Sequence, residues 1–119
     1  MPVLVLIIAS PGDLQNGLLA LMTTDPQVKA ILIAEDNSSA LRLLELHRPT
    51  LVLLDMNLPE NSALAILKQI ASQWPTIRTV AIAGNVDQEQ EAKAGSADRV
   101  LLKGFPASKL TSITEDLVS

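Results

Sequence analysis

Five short apolar runs, separated by stretches of helical periodicity, limit this sequence to very few architectures. They are "VLVLIIA" (3–9), "VKAILIA" (28–34), "LVLLDM" (51–56), "IRTVAIA" (77–83) and "DRVLLK" (98–103). Most are continuous instead of alternating, as strands buried on both faces should be. Between them, Leu14, Leu18, Leu21 and Met22 make one helical stripe, and Leu41 and Leu44, with His47 at the end, make another. Ala63, Ile66, Leu67, Ile70, Ala71 and Trp74 form the clearest stripe, with Asn61 and Ser62 as caps and Pro75 as the stop. Leu110, Ile113 and Leu117 mark a last helix. The segment 86–95, "VDQEQEAKAG", is polar nearly all round and predicts a weakly anchored helix. Strands alternating with helices predict an α/β fold, a doubly wound five-stranded parallel sheet with helices on both faces.

A chain of 119 residues is one domain, 1–119, large enough for a substantial core. That core must be aliphatic, because Trp74 and Phe105 are the only aromatics. No apolar run approaches the ~20 residues of a membrane span, and no basic flank marks a signal peptide. The absence of cysteine excludes disulfides and thiolate metal sites. A soluble, cytoplasmic protein is the expectation. The formal charge of −4 argues against gripping nucleic acid by its phosphates.

Five strands in a doubly wound sheet commonly take the order 2-1-3-4-5, with the working crevice at their carboxyl ends. Asp55 ends the third run and is therefore the favoured position for chemistry. The acids Glu35 and Asp36, in "ILIAEDN", imitate a metal-binding pair but end the second run. With one strand between, they emerge roughly 10 Å from Asp55, since neighbouring strands are ~4.8 Å apart. A solvated loop and helix N-terminus is their expected place. "SPGD" reads as a helix start, with Ser10 at N-cap, Pro11 at N1 and Asp13 at N3, so Asp13 is expected to cap and not to bind metal. His47, the only histidine, has no nucleophile or acid partner and reads as a helix-end residue.

"RPTLVLLDMNLPENSALAILKQI" resembles the phospho-acceptor segment of response-regulator receiver domains, and "AGSADRVLLKGFPASKL" resembles their later, lysine-bearing segment. The likeness continues through "VLIIASPGDLQNGLLALM" and "DPQVKAILIAEDNSSALRLLELHRP" and so covers essentially the whole chain. It is nearest in character to receivers joined to helix-turn-helix (LuxR-type) outputs. The resemblance implies a flavodoxin-like (CheY-like) fold, two-component phosphorelay signalling, Asp55 as the phospho-acceptor and Lys103 as the phosphate-contact lysine.

Other positions depart from the family pattern. Ala9 and Ser10 stand where its acidic metal pair would end the first strand. Ala83 replaces the Thr or Ser of the fourth strand, and Val100 replaces the switching aromatic of the fifth. The polar segment after Gly84 is shorter than usual by roughly one helical turn. Gly104 follows the lysine where a proline is common, which makes a cis peptide there costly, at ~3 kcal/mol. A receiver's three acids and one lysine attract Mg²⁺, whereas Asp55 and Lys103 roughly cancel.

The expectation is thus a pseudo-receiver that acts mainly by protein–protein interaction, with no enzymatic activity and no bound metal or cofactor. Its partner would be a histidine kinase or a downstream signalling protein, and a homodimer through the last helices is compatible with the family. The alternative is a conventional receiver, phosphorylated at Asp55 with Mg²⁺, that regulates a DNA-binding output missing from this chain. Binding of FMN is disfavoured, since "SPGDLQNG" is poor in hydroxyls and two aromatics are few to flank a flavin. Neither G-x-G-x-x-G nor G-x-x-x-x-G-K appears for a nucleotide, and no nucleophile–base set for a hydrolase.

Overall fold

The computed structural model describes residues 2–118. Five strands, β1 (Val3–Ile8), β2 (Val28–Ala34), β3 (Leu51–Asp55), β4 (Arg78–Ala83) and β5 (Arg99–Leu102), form one parallel sheet in the order β2-β1-β3-β4-β5. Five helices connect and follow them: α1 (Asp13–Thr24), α2 (Asn37–His47), α3 (Ser62–Gln73), α4 (Val86–Ala94) and α5 (Ala107–Val118). No helix among the described residues is long and apolar enough to cross a membrane.

The continuous apolar runs have a direct cause. Successive side chains point to opposite faces, and each face carries its own core. Leu6, Ile8, Val52, Leu54 and Ala81 meet Ala40 and Leu44 of α2, Ile66, Leu67 and Ile70 of α3, and Ala92 of α4. Val5, Ile7, Leu51, Leu53, Val80 and Ile82 meet Leu18 and Met22 of α1 and Leu110 of α5. β2 and β5 are the two edges, and there the polar residues return: Lys29 and Arg99 are exposed.

The helix starts differ from the sequence reading. Ser10 does not cap α1. Gly12 is its N-cap, with φ 153° and ψ −168°, a conformation glycine adopts easily, and its carbonyl accepts the Asn16 N–H at 3.0 Å. Asp13 is the first helical residue, placed for the helix dipole but making no side-chain cap. Asn61 precedes α3 with φ 52° and also makes no side-chain cap, while the Ser62 hydroxyl donates to the Pro59 carbonyl at 3.0 Å. Asp36 does cap α2, accepting the Ser39 N–H at 2.8 Å.

At the amino ends of β4 and β5 lies a polar latch. The Thr79 N–H donates to Asp98 Oδ2 at 2.8 Å, and the Asp98 N–H donates to Thr79 Oγ1 at 3.1 Å. Arg78 adds an ion pair to the other carboxylate oxygen at 3.9 Å. With Thr79 buried, this reciprocal pair satisfies groups that would otherwise be orphaned at the sheet's end.

The polar helix α4 is held more firmly than its composition suggests. Ala92 is fully buried, and the C-capping Gly95 packs so closely that an added Cβ would sit 2.9 Å from Leu64 Cδ1 and 3.0 Å from Leu67 Cδ2. The φ of Gly95, −82°, suits any residue, so what favours glycine there is space, set by the two leucine methyls and by the Glu91 carbonyl oxygen 3.3 Å from the same point. Gly95→Ala is therefore expected to destabilise the fold by about 1–3 kcal/mol, read as a lower urea midpoint at unchanged slope. The Thr114 hydroxyl of α5 is fully buried with no hydrogen-bond partner. Thr114→Val removes that unsatisfied group at nearly constant shape and should raise the midpoint, by up to ~1 kcal/mol.

Candidate functional site

The carboxyl ends of β1, β3 and β4 and the turn after β5 meet at one rim, because parallel strands all finish on the same side of the sheet. Three backbone bonds carry the ladders one step beyond the strands: Ala9 N–H to the Ala34 carbonyl at 3.0 Å, Met56 N–H to Ile82 at 2.9 Å and Lys103 N–H to Ala83 at 2.8 Å. The rim is thereby rigid up to the residues whose side chains define the site.

Asp55 closes β3 and is 7% exposed. Its Oδ1 accepts the Asn57 N–H at 2.9 Å, a local turn that fixes the carboxylate's orientation. Lys103 Nζ reaches the same oxygen at 3.4 Å, so the structure pairs the two residues that the sequence singled out. Each enters from a different strand end, and both follow residues of the α1/α5 face, Leu53 and Leu101. Gly104, at φ 93°, turns the chain away immediately after the lysine, and the described chain contains no cis peptide.

The remaining candidate positions carry no charge. Ala9 is fully buried and Ser10 half-buried at the end of β1, Ala83 is fully buried, and Val100 is half-buried against the α2/α3/α4 face. His47 is exposed in the last turn of α2.

Glu35 and Asp36 follow β2 and stand apart from Asp55, with β1 lying between β2 and β3. The Ser39 N–H, and next the Ser39 hydroxyl, hold the Asp36 carboxyl below its usual 3.8. A carboxyl lowered in this way adds stability above the unfolded value and loses it as the pH falls through the lowered one. Glu35 has a partner that the sequence reading missed. Gln15 is buried in α1, and its Nε2 donates to the Ala9 carbonyl at 2.9 Å and to Glu35 Oε2 at 3.0 Å. The signal was present: Gln15 sits three and seven residues before Leu18 and Met22, on their inward stripe.

A cleft of about 470 Å³ opens to one side, lined by Asp36, Asn37, Ser38, Pro59, Glu60 and Ser62. It does not include the Asp55–Lys103 pair. A second residue that escaped the sequence reading is Gln88, whose Oε1 accepts the Gly84 N–H at 2.7 Å beside Lys103. Asn85-x-x-Gln88 has the spacing of a reciprocal helix cap and could have pointed to it.

Comparison with known proteins agrees with this geometry. The family model "Response regulator receiver domain" matches residues 5–115. NtrX from Brucella abortus is 25% identical, with a TM-score of 0.87 over 99% of this chain and 27% of that one. A LuxR-family two-component response regulator from Aurantimonas sp. SI85-9A1 shares the fold at 17% identity, with a TM-score of 0.87 over 99% of this chain and 86% of that one. Among curated proteins, a protein-glutamate methylesterase/protein-glutamine glutaminase of Desulfitobacterium hafniense is 25% identical over 98% of this chain and 31% of its own length. The transcriptional regulatory protein DegU of Brevibacillus brevis is 22% identical over 81% of this chain and 42% of its own length. The chain spans less than half the length of these curated relatives. A five-stranded 2-1-3-4-5 sheet and a family match along nearly its whole length have one meaning: the chain belongs to the response regulator receiver domains of two-component signalling.

Proposed function

We propose that this receiver works as a pseudo-receiver, presenting a nearly constant surface to a protein partner and not switching by phosphorylation. The observation that carries this reading is the uncharged end of β1 beside Asp55, where Ala9 and Ser10 stand and no carboxylate joins the acceptor. Moving a phosphoryl group onto a carboxylate brings two anions together, and a metal ion ordinarily offsets that charge. Magnesium prefers several hard oxygen ligands, carboxylates among them. Among the described residues, no three Asp, Glu, His or Cys side chains converge to hold an ion. The donors around Asp55 are instead an ammonium and a backbone N–H on a single oxygen. This set does not fit a resident divalent cation.

The switch positions support the same reading. Ala83 offers no hydroxyl to an incoming phosphoryl group, and Val100 has no aromatic ring to rotate inward. A ligand shifts an equilibrium only through unequal affinity for its two states, and these side chains supply little inequality. The partner expected is a histidine kinase or a downstream signalling protein that reads a protein surface, with no direct contact to nucleic acid. A conventional, phosphorylated receiver remains the competing reading, favoured by the retained and adjacent Asp55 and Lys103.

Intact-mass measurement after incubation with acetyl phosphate and Mg²⁺ separates the two. The expected result is no adduct on the wild-type chain, and a stoichiometric adduct abolished by Asp55→Asn would restore the competing reading. Titration of the partner should give affinities for wild type and Asp55→Asn within about tenfold, or ~1.4 kcal/mol. Substitution of exposed residues in α4 or α5 should change them more.

A further inference from the structure

Gly84 directly follows β4, and its N–H donates to Gln88 Oε1 at 2.7 Å. A Cβ on Gly84 would lie 3.3 Å from that same oxygen, 3.8 Å from Lys103 Cδ and 4.0 Å from Lys103 Cε. Lys103 Nζ is 3.4 Å from Asp55 Oδ1. Gln88, Gly84 and Lys103 are thus neighbours, set between the first turn of α4 and the buried carboxylate. Gln88 also donates its own N–H to Asn85 Oδ1 at 2.8 Å. In an ordinary reciprocal cap the glutamine side chain would return to the N–H of Asn85. Here it reaches one residue further, to the strand-end N–H that borders the lysine stem.

An oxyanion held at Asp55 and Lys103 brings several acceptor oxygens and needs donors to match them. Lys103 offers its ammonium, while the Asn57 N–H is already engaged by Asp55. Gly84, beside the aliphatic stem of Lys103, carries a further strand-end N–H, and Gln88 already fills it. We propose that Gln88 is an internal lock: its carboxamide oxygen occupies the Gly84 N–H, so that an oxyanion at the pair must expel Gln88 and loosen the first turn of α4. The lock rests on reading the pair as an unswitched receiver site. It deepens that reading, because the α4 surface then stays in one arrangement by a bond that can be named.

The test is a titration of the full chain with inorganic phosphate, followed by the amide resonances of Gly84 and Lys103, for wild type, Gln88→Ala and Gln88→Glu. A single exposed hydrogen bond can hold back binding by roughly three- to tenfold. Gln88→Ala should thus respond at about three- to tenfold lower phosphate concentration than wild type. Gln88→Glu, which keeps an acceptor oxygen at the right reach, should show no such gain. Thermal unfolding of the variants verifies folding, and alanine suits the helix well. If Gln88 were only a helix cap, Gln88→Ala would lower the melting temperature and leave the phosphate response unchanged. A response equal to or weaker than that of the wild type overturns the lock. Labelling of wild-type Asp55 by acetyl phosphate would instead overturn the constant-surface reading, with the lock judged on the phosphate titration alone.

Discussion

Burial of the sheet on both faces governs everything else in this molecule. A strand covered on both sides cannot carry a polar side chain in its interior without a partner, so chemistry is displaced to the strand ends. Leu51 to Leu54 are fully buried, and the first carboxylate of β3 comes only at Asp55, the last residue of the strand, itself 7% exposed and partnered. β1 is buried from Val5 to Ala9 and places no charge at its end. The character of the rim thus depends on the residue that β1 and β3 carry at their ends and on the one that follows β5. In this chain those residues give one acid and one base.

That same constraint explains how much of the fold could be read from the sequence. Continuous apolar runs have few meanings, and the strand order follows from the doubly wound pattern. The nearness of Asp55 and Lys103 followed from the resemblance to receivers and from the cost of leaving either partly buried charge alone. Helix starts were less legible. Ser10 had the right chemistry for a cap, yet the Pro11–Gly12 turn delivers the chain into α1 two residues later. Asn61 looked like a cap for the same reason, but its backbone is left-handed and its side chain bonds nothing at the helix end. Capping depends on backbone angles that composition does not disclose.

Polar side chains that serve other polar side chains were the hardest to see. Gln15 interrupts an apolar stripe and reads as a tolerated imperfection until its two acceptors, the Ala9 carbonyl and Glu35, are placed beside it. Glu35 is likewise no idle surface acid, since its carboxylate accepts an N–H of the Gln15 amide. Long-range pairing of this kind, 20 residues apart in the chain, leaves no periodic trace. The polar helix α4 hides its anchorage in a similar way. Its hold comes from Ala92 and the missing side chain of Gly95, and small residues carry little weight in any hydrophobic pattern.

The latch between Thr79 and Asp98 lies at the far end of β4 and β5 from Lys103. A one-residue slip of β5 along β4 would break both of its reciprocal bonds and turn Val100 and Leu101 to the wrong faces of the sheet. Sliding is therefore closed to β5, and since the Lys103 N–H is bonded to the Ala83 carbonyl at 2.8 Å the strand is pinned at both ends. The strand is a strut only four residues long, fastened at each end, so any parting of Lys103 from Asp55 falls to the torsions of the lysine side chain itself.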